Sequence, residues 1–179
     1  VEVTVKVVPK AAGSPLPPFL LERARPGLEI RLGPAAGRYV YPEPLPEGIR
    51  GVVHVCAGSG AAPNRGLIRC ALGRGWPLRH LLVLQDRLPQ DVLYRGEWPD
   101  LEARYPDRFR LRVRLSSRGE YVDAADLAVA LGGWLEPTAV LAFVCGPNYP
   151  RASAPGFVDL ARRELAAAGI PPDRIRWEQ

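Results

Sequence analysis

From residue 52 to residue 177, five short apolar runs alternate with segments whose apolar residues recur at helical spacing, and this alternation constrains the fold more than any other feature of the chain. The strand candidates are residues 52–56, 80–84, 109–115, 140–145 and 174–177. The helical segments lie at about residues 64–72, 90–104, 124–134 and 156–168. Repeated β and α units of this length predict an α/β fold, a five-stranded parallel sheet with helices on both faces. One strand is distinctive. Arg110, Arg112 and Arg114 share one side of it, while Leu111, Val113 and Leu115 share the other. A central parallel strand is apolar on both faces, so this one is expected at an edge.

The run Pro42-Glu43-Pro44-Leu45-Pro46-Glu47-Gly48-Ile49-Arg50 suits neither a helix nor a sheet interior, and it divides the chain. Ahead of it lie an alternating strand at 1–8, a short helix at about 19–24, a second strand at 28–32, and a turn from Gly33 to Gly37. Roughly forty such residues bury too little to stand as a domain of their own. Residues 1–48 are therefore read as part of a β-rich domain and 49–179 as the α/β domain. The chain opens on Val1 and contains no methionine, as a processed protein or a piece of a longer one would.

Hydrophobic residues make up 47% and charged residues 24%, an ordinary globular composition. No apolar run approaches the ~20 residues of a membrane span, and no secretory signal pattern opens the chain. Cys56, Cys70 and Cys145 leave an odd count without a CxxC pair, which disfavours a disulfide framework or a structural zinc site and fits a reducing cytoplasm. His54 and His80 are too few for a metal cluster and read as structural. The net charge of +5 is carried almost wholly by arginine, since Lys6 and Lys10 are the only lysines. The arginines are dispersed rather than clustered, and no zinc-finger spacing or ribonucleoprotein motif accompanies them, so nucleic acid is not an expected partner.

Ligands of such sheets bind outside the carboxyl ends of the strands, where the strand order reverses. Three strand ends carry distinctive residues. After the first comes Gly58-Ser59-Gly60, with Pro63 and Arg65 at the start of a helix, a turn suited to a pyrophosphate or simply a tight strand-to-helix connection. After the third comes Ser116-Ser117-Arg118, two hydroxyls and a guanidinium fit to hold a phosphate or a solvated turn. After the fourth comes Cys145-Gly146-Pro147, a thiol presented before a chain reversal or a buried cysteine. Other chemistries fail on spacing. A nucleophile elbow needs Gly-x-Ser-x-Gly. A phosphatase loop needs arginine six residues after its cysteine, where Cys56 is followed by Ala62. The Walker lysine is missing.

In order and spacing, these motifs resemble the nucleotide-binding domain of the ferredoxin–NADP reductase superfamily, especially the reductase components of oxygenases. Ala57-Gly58-Ser59-Gly60-Ala61-Ala62-Pro63 is similar to that family's Gly-Thr-Gly-Ile-Ala-Pro turn, and Asp86-Arg87-Leu88-Pro89-Gln90-Asp91-Val92-Leu93-Tyr94 to its Asn-Arg-Thr-Pro-Glu-Asp-Ile-Leu-Tyr segment. Ser117-Arg118, Val144-Cys145-Gly146-Pro147 and Arg174-Ile175-Arg176-Trp177-Glu178 fall at its serine–arginine, cysteine–glycine–proline and closing Arg-Ile-x-x-Glu positions.

The resemblance implies an NAD(P)H-dependent flavin oxidoreductase passing electrons through FAD to an acidic ferredoxin or an oxygenase. It places the dinucleotide pyrophosphate on Gly58, Ser59 and Gly60, and the adenosine near Arg87, Ser117 and Arg118. The nicotinamide would lie beside Cys145, Gly146 and Glu178. The family's flavin motif, Arg-x-Tyr-Ser, does not occur in these residues. Its Gly-x-x-Ser/Thr motif would start at Gly13 and end on Leu16, which has no hydroxyl, so FAD is not expected on this chain alone. The alternative is a non-catalytic dinucleotide-binding module.

Overall fold

All five expected strands form: β1 (Gly51–Ala57), β2 (Arg79–Asp86), β3 (Phe109–Leu115), β4 (Val140–Cys145) and β5 (Ile175–Glu178). The helices are α1 (Leu16–Arg23), α2 (Ala61–Gly73), α3 (Glu97–Arg104), α4 (Ala124–Leu131) and α5 (Phe157–Ala167). The computed structural model describes Thr4 and residues 16–31, 33–34, 36–148 and 155–178. Two compact units divide the chain, Val1–Arg38 and Tyr39–Gln179.

In the second unit the strands make one parallel sheet in the order β3-β2-β1-β4-β5. Every residue of β1 is buried, as the centre of a sheet covered on both faces requires. Val53, Val55, Leu81, Val83, Ala142 and Val144 face one side, where Leu127, Leu131 and Leu165 of α4 and α5 cover them. Cys56, Leu82 and Leu84 face the other, against Ile68 and Leu72 of α2 and Trp98 of α3. Tyr39 and Tyr41 belong to this unit: their rings meet Phe143 edge-on at 5.2 and 5.4 Å, fixing the start of the proline-rich connector to the sheet.

The arginine strand, β3, is an edge, as its pattern predicts. Its polar side is covered nonetheless. The Arg110 guanidinium lies 4.4 Å from the Trp134 ring centre, and Arg114 Nε donates to Asp126 Oδ2 of α4 at 2.8 Å. Long arginine stems can cover apolar surface while their heads find polar partners.

Several boundaries differ from the sequence reading. Helix α2 begins at Ala61, ahead of the expected residue 64, because a proline is tolerated in a first turn where its missing N–H would be unpaired anyway. The expected helix over 90–104 is broken. A short 3₁₀ turn, Pro89–Asp91, precedes α3, and between them Tyr94 takes a left-handed backbone conformation, φ 56°. In the first unit, residues 28–31 are irregular rather than the expected strand. A strand needs a paired neighbour, and none lies among the described residues of that unit. The expected strand at 1–8, apart from Thr4, and the Gly13 motif up to Leu16 fall outside the described residues.

Candidate functional site

The strand order reverses between β1 and β4, whose following helices, α2 and α5, cover opposite faces. A crevice opens at such a point because the two connections leave in different directions. Here it is a cleft of about 330 Å³ lined by Ser59, Gly60, Cys145, Gly146, Pro147, Asn148 and Glu178. Residues separated by more than a hundred positions thus meet.

Strand register sets what faces the cleft. Cys56 pairs with Cys145 across β1 and β4, and Cys145 with Glu178 across β4 and β5, so two thiols and a carboxylate stand in one row at the strand ends. Parallel register partners project to the same face. The turn above them depends on its glycines. Gly58 has φ 54°, a conformation that L side chains rarely adopt. A Cβ on Gly60 would collide with the Cys145 carbonyl and lie 2.9 Å from the Gly146 nitrogen. A Cβ on Gly146 would lie 2.6 Å from the Phe157 ring. Gly60 opens α2 without a side-chain cap, and the Ala61 N–H is taken by the Gly58 carbonyl inside the turn, so the turn presents backbone rather than side chains to the cleft.

Burial, followed by the nearby Glu178 charge, pushes the Cys145 thiol up to about 11. It is therefore a neutral, weakly nucleophilic thiol at neutral pH. Fully buried Cys56 is pushed up as well, by desolvation first. Replacing Glu178 with Gln should lower the alkylation midpoint of Cys145 only partway, leaving it above the ordinary thiol value, because burial is the larger cause. Iodoacetamide labelling against pH, read on the Cys145 peptide by mass spectrometry, checks this.

The remaining candidates take different places. Arg87, Ser117 and Arg118 are exposed at the ends of β2 and β3, on the same edge of the sheet as the glycine turn. The Ser117 N–H donates to the Arg87 carbonyl at 3.2 Å, which joins those two loops. Pro63 sits in the first turn of α2. Arg65, expected beside a pyrophosphate, is instead engaged with α3: its Nε donates to Glu97 Oε2 at 2.6 Å and its guanidinium stacks 4.4 Å from the Tyr94 ring centre. Arg65 is not among the residues that line the cleft.

Two features were not legible in the sequence. Asn148, just after the Cys-Gly-Pro turn, accepts the Asp159 N–H at 3.3 Å through Oδ1 and so ties the cleft wall to the first turn of α5. Beneath the glycine turn, buried Asn64 donates to the Gly60 carbonyl at 2.9 Å and accepts from Tyr39 and from His54, each at 2.9 Å. His54 and His80 are structural, as expected, but they are linked: His54 Nε2 lies 3.2 Å from His80 Nδ1. Among the described residues no helix is long and apolar enough to cross a membrane.

The parallel sheet with helices on both faces is a ferredoxin reductase-like α/β fold. The family model for the oxidoreductase NAD-binding domain matches residues 54–149, more than half of the chain, and the chain belongs to that family. It is 30% identical over 161 residues to the ferredoxin reductase component of the 3-ketosteroid-9-alpha-monooxygenase of Mycolicibacterium smegmatis, a match covering 89% of this chain and 41% of that one. It is 27% identical to an NADPH oxidoreductase of Mycobacterium tuberculosis, over 100% of this chain and 42% of that one. The chain thus spans less than half the length of these two relatives. In fold it is similar to the flavohem-like FAD/NAD-binding domain of nitric oxide dioxygenase from Vibrio cholerae, with a TM-score of 0.70, 20% identity, and coverage of 91% of this chain and 63% of that one.

Proposed function

We propose that the cleft between β1 and β4 binds a nicotinamide dinucleotide, NADH or NADPH, and that the chain is the nucleotide-binding part of a reductase delivering electrons through FAD to a ferredoxin or oxygenase partner. The observation that carries this reading is the cleft at the reversal of strand order, where the glycine turn packs so closely on the Cys145–Gly146 backbone that Ser59, Gly60, Cys145, Gly146 and Glu178 line one cavity. A close-approach turn at a helix start is what a pyrophosphate requires.

In this reading Gly58, Ser59 and Gly60 hold the pyrophosphate, and Arg87, Ser117 and Arg118 serve the adenosine end. Cys145, Gly146 and Glu178 flank the nicotinamide ring. The bound dinucleotide supplies the chemistry, a hydride passed from nicotinamide C4 to flavin N5. The protein's work is orientation and exclusion of water. The neutral Cys145 thiol would give a nicotinamide ring a small polarisable neighbour, and the Glu178 carboxylate of the same cleft would supply a hydrogen-bond acceptor. The sequence boundary at residue 48 moves to Arg38, since Tyr39 and Tyr41 pack on the sheet, and residues 1–38 are assigned to the last part of a flavin-binding β domain on the motif resemblance and on the limited share of the relatives that the chain spans.

Calorimetric titration of the 179-residue chain with NADH and NADPH tests the binding step, and ferricyanide reduction after addition of FAD tests the reductase step. Saturable binding of one dinucleotide is expected of the chain alone, and FAD-dependent turnover only where a flavin-binding domain is supplied with it. Binding without turnover would reduce the chain to a nucleotide-binding module, and absence of binding to either dinucleotide would contradict the assignment of the cleft.

A further inference from the structure

We propose that Asn64 is a positioning residue of the dinucleotide seat: it holds the Gly60 carbonyl from beneath while Tyr39 and His54 hold Asn64, so that the glycine turn keeps its anion-binding shape before ligand arrives. The inference rests on the dinucleotide reading above and adds to it residues that never touch the ligand.

Asn64 is fully buried, on the first turns of α2. A buried amide is costly unless its hydrogen-bonding groups are paired, and an apolar side chain would fill the same space without that cost. Here the pairing is extensive. Nδ2 donates to the Gly60 carbonyl, while Oδ1 accepts from both the Tyr39 hydroxyl and the His54 ring.

The Asn64 acceptor fixes the histidines in turn. His54 must carry its proton on Nδ1, so its Nε2 accepts from the protonated Nδ1 of His80. His80 Nε2 is then a bare acceptor, and that buried atom has no hydrogen-bond partner. The chain of side chains therefore runs in one direction only, with every donor aimed toward Asn64. Its output is the single Nδ2–H delivered to the turn.

That bond matters because the turn has no slack on its other side. The Gly60 Cα is already pressed against the Cys145–Gly146 backbone. The Ala61 N–H of the Gly60–Ala61 peptide is held inside the turn by the Gly58 carbonyl, and Asn64 is the side chain that holds the carbonyl end of the same peptide, so loss of that bond frees the turn to rotate. Apart from the terminal His80 Nε2, the side chains of this network are joined by hydrogen bonds, and buried bonds of this kind restrain the groups they join.

The test is ADP-ribose affinity of the full chain, by calorimetry well below the melting temperature. Three variants are compared: Asn64→Leu, which removes the donor without adding charge; Asn64→Asp, which keeps both acceptor contacts and sets an oxygen against the Gly60 carbonyl; and Leu165→Val, a core change in α5 on the opposite face. Both Asn64 variants should weaken binding by at least about tenfold, while Leu165→Val keeps affinity within about twofold at whatever melting temperature it shows. If Asn64→Leu does not fold, Asn64→Asp carries the comparison. Wild-type affinity in an Asn64 variant overturns the proposal. So does weakening of all three in step with their melting temperatures, which a merely structural role predicts. Failure of the wild type to bind ADP-ribose overturns the dinucleotide reading and this inference together. Wild-type binding with unaffected Asn64 variants removes the inference alone.

Discussion

Gly60→Ala is expected to reduce dinucleotide affinity by about a hundredfold, close to 3 kcal/mol. The added Cβ would meet the Cys145 carbonyl group and the Gly146 nitrogen, which are backbone atoms that no rotamer change can move aside. Either the turn lifts away from β4 or the β4 end is displaced, and both movements open the cradle. Overpacking of this kind also destabilises by about 1–3 kcal/mol. Gly66 provides the matched control. It lies in the interior of α2 with nothing within 4 Å of its Cβ position. Gly66→Ala should leave affinity unchanged and stabilise the fold by up to about 1 kcal/mol, because alanine costs less entropy than glycine in a helix. Equilibrium urea unfolding and calorimetric titration of the two variants side by side read both effects.

The second large effect is acid destabilisation centred on the histidine pair. Burial, only partly offset by the Asn64 bond, lowers His54 from 6.5 to about 4. Desolvation, then the proximity of His54 and Arg108, lowers His80 well below its ordinary value. In the unfolded chain both rings take up a proton below their ordinary value, whereas the folded chain keeps them neutral to lower pH. The His54 contribution is therefore complete above pH 6.5, declines as pH falls toward 4, and levels off below that, while the His80 contribution is lost in the same direction as pH falls below 6.5. A shift of this size in His54 alone corresponds to about 3 kcal/mol over the window, with His80 acting in the same direction. Urea midpoints measured from neutral pH down to about pH 4.5 should fall steeply, before most carboxylates titrate. A His54→Gln, His80→Gln double variant should show a much shallower slope, and an unchanged slope would remove the histidines as the cause.

The parts of the fold that were readable in the sequence are those written locally. Buried parallel strands are short unbroken apolar runs, so β1, β2 and β4 stand out, and the one-sided pattern of Arg110, Arg112 and Arg114 marks β3 as an edge without reference to any other strand. The glycines of the turn and the Cys145-Gly146 pair are likewise local signals, and the sheet order brings them into one cleft. What stayed hidden depends on pairs far apart in the chain. Nothing near Arg65 announces that Glu97 will take its guanidinium. His54 and His80 are 26 residues apart and look like two isolated core histidines until β1 and β2 lie side by side. Asn64 resembles any polar residue in the first turns of a helix, and only the arrival of Tyr39 from just ahead of the connector shows that it is enclosed. Residues 28–31 mislead for the opposite reason: their alternation is that of a strand, but a pattern does not supply a pairing partner.

The central claim is that the β1–β4 cleft seats a dinucleotide with its pyrophosphate on the Gly58–Gly60 turn. Titration of the nitrogen-15-labelled chain with ADP-ribose, followed by backbone amide shifts, tests it most directly. The account predicts saturable shifts that are largest at Ser59, Gly60, Ala61 and Gly146, with smaller ones at Arg87, Ser117 and Arg118. Shifts that fail to saturate, or that concentrate on α3 and α5 while the glycine turn stays still, would contradict it.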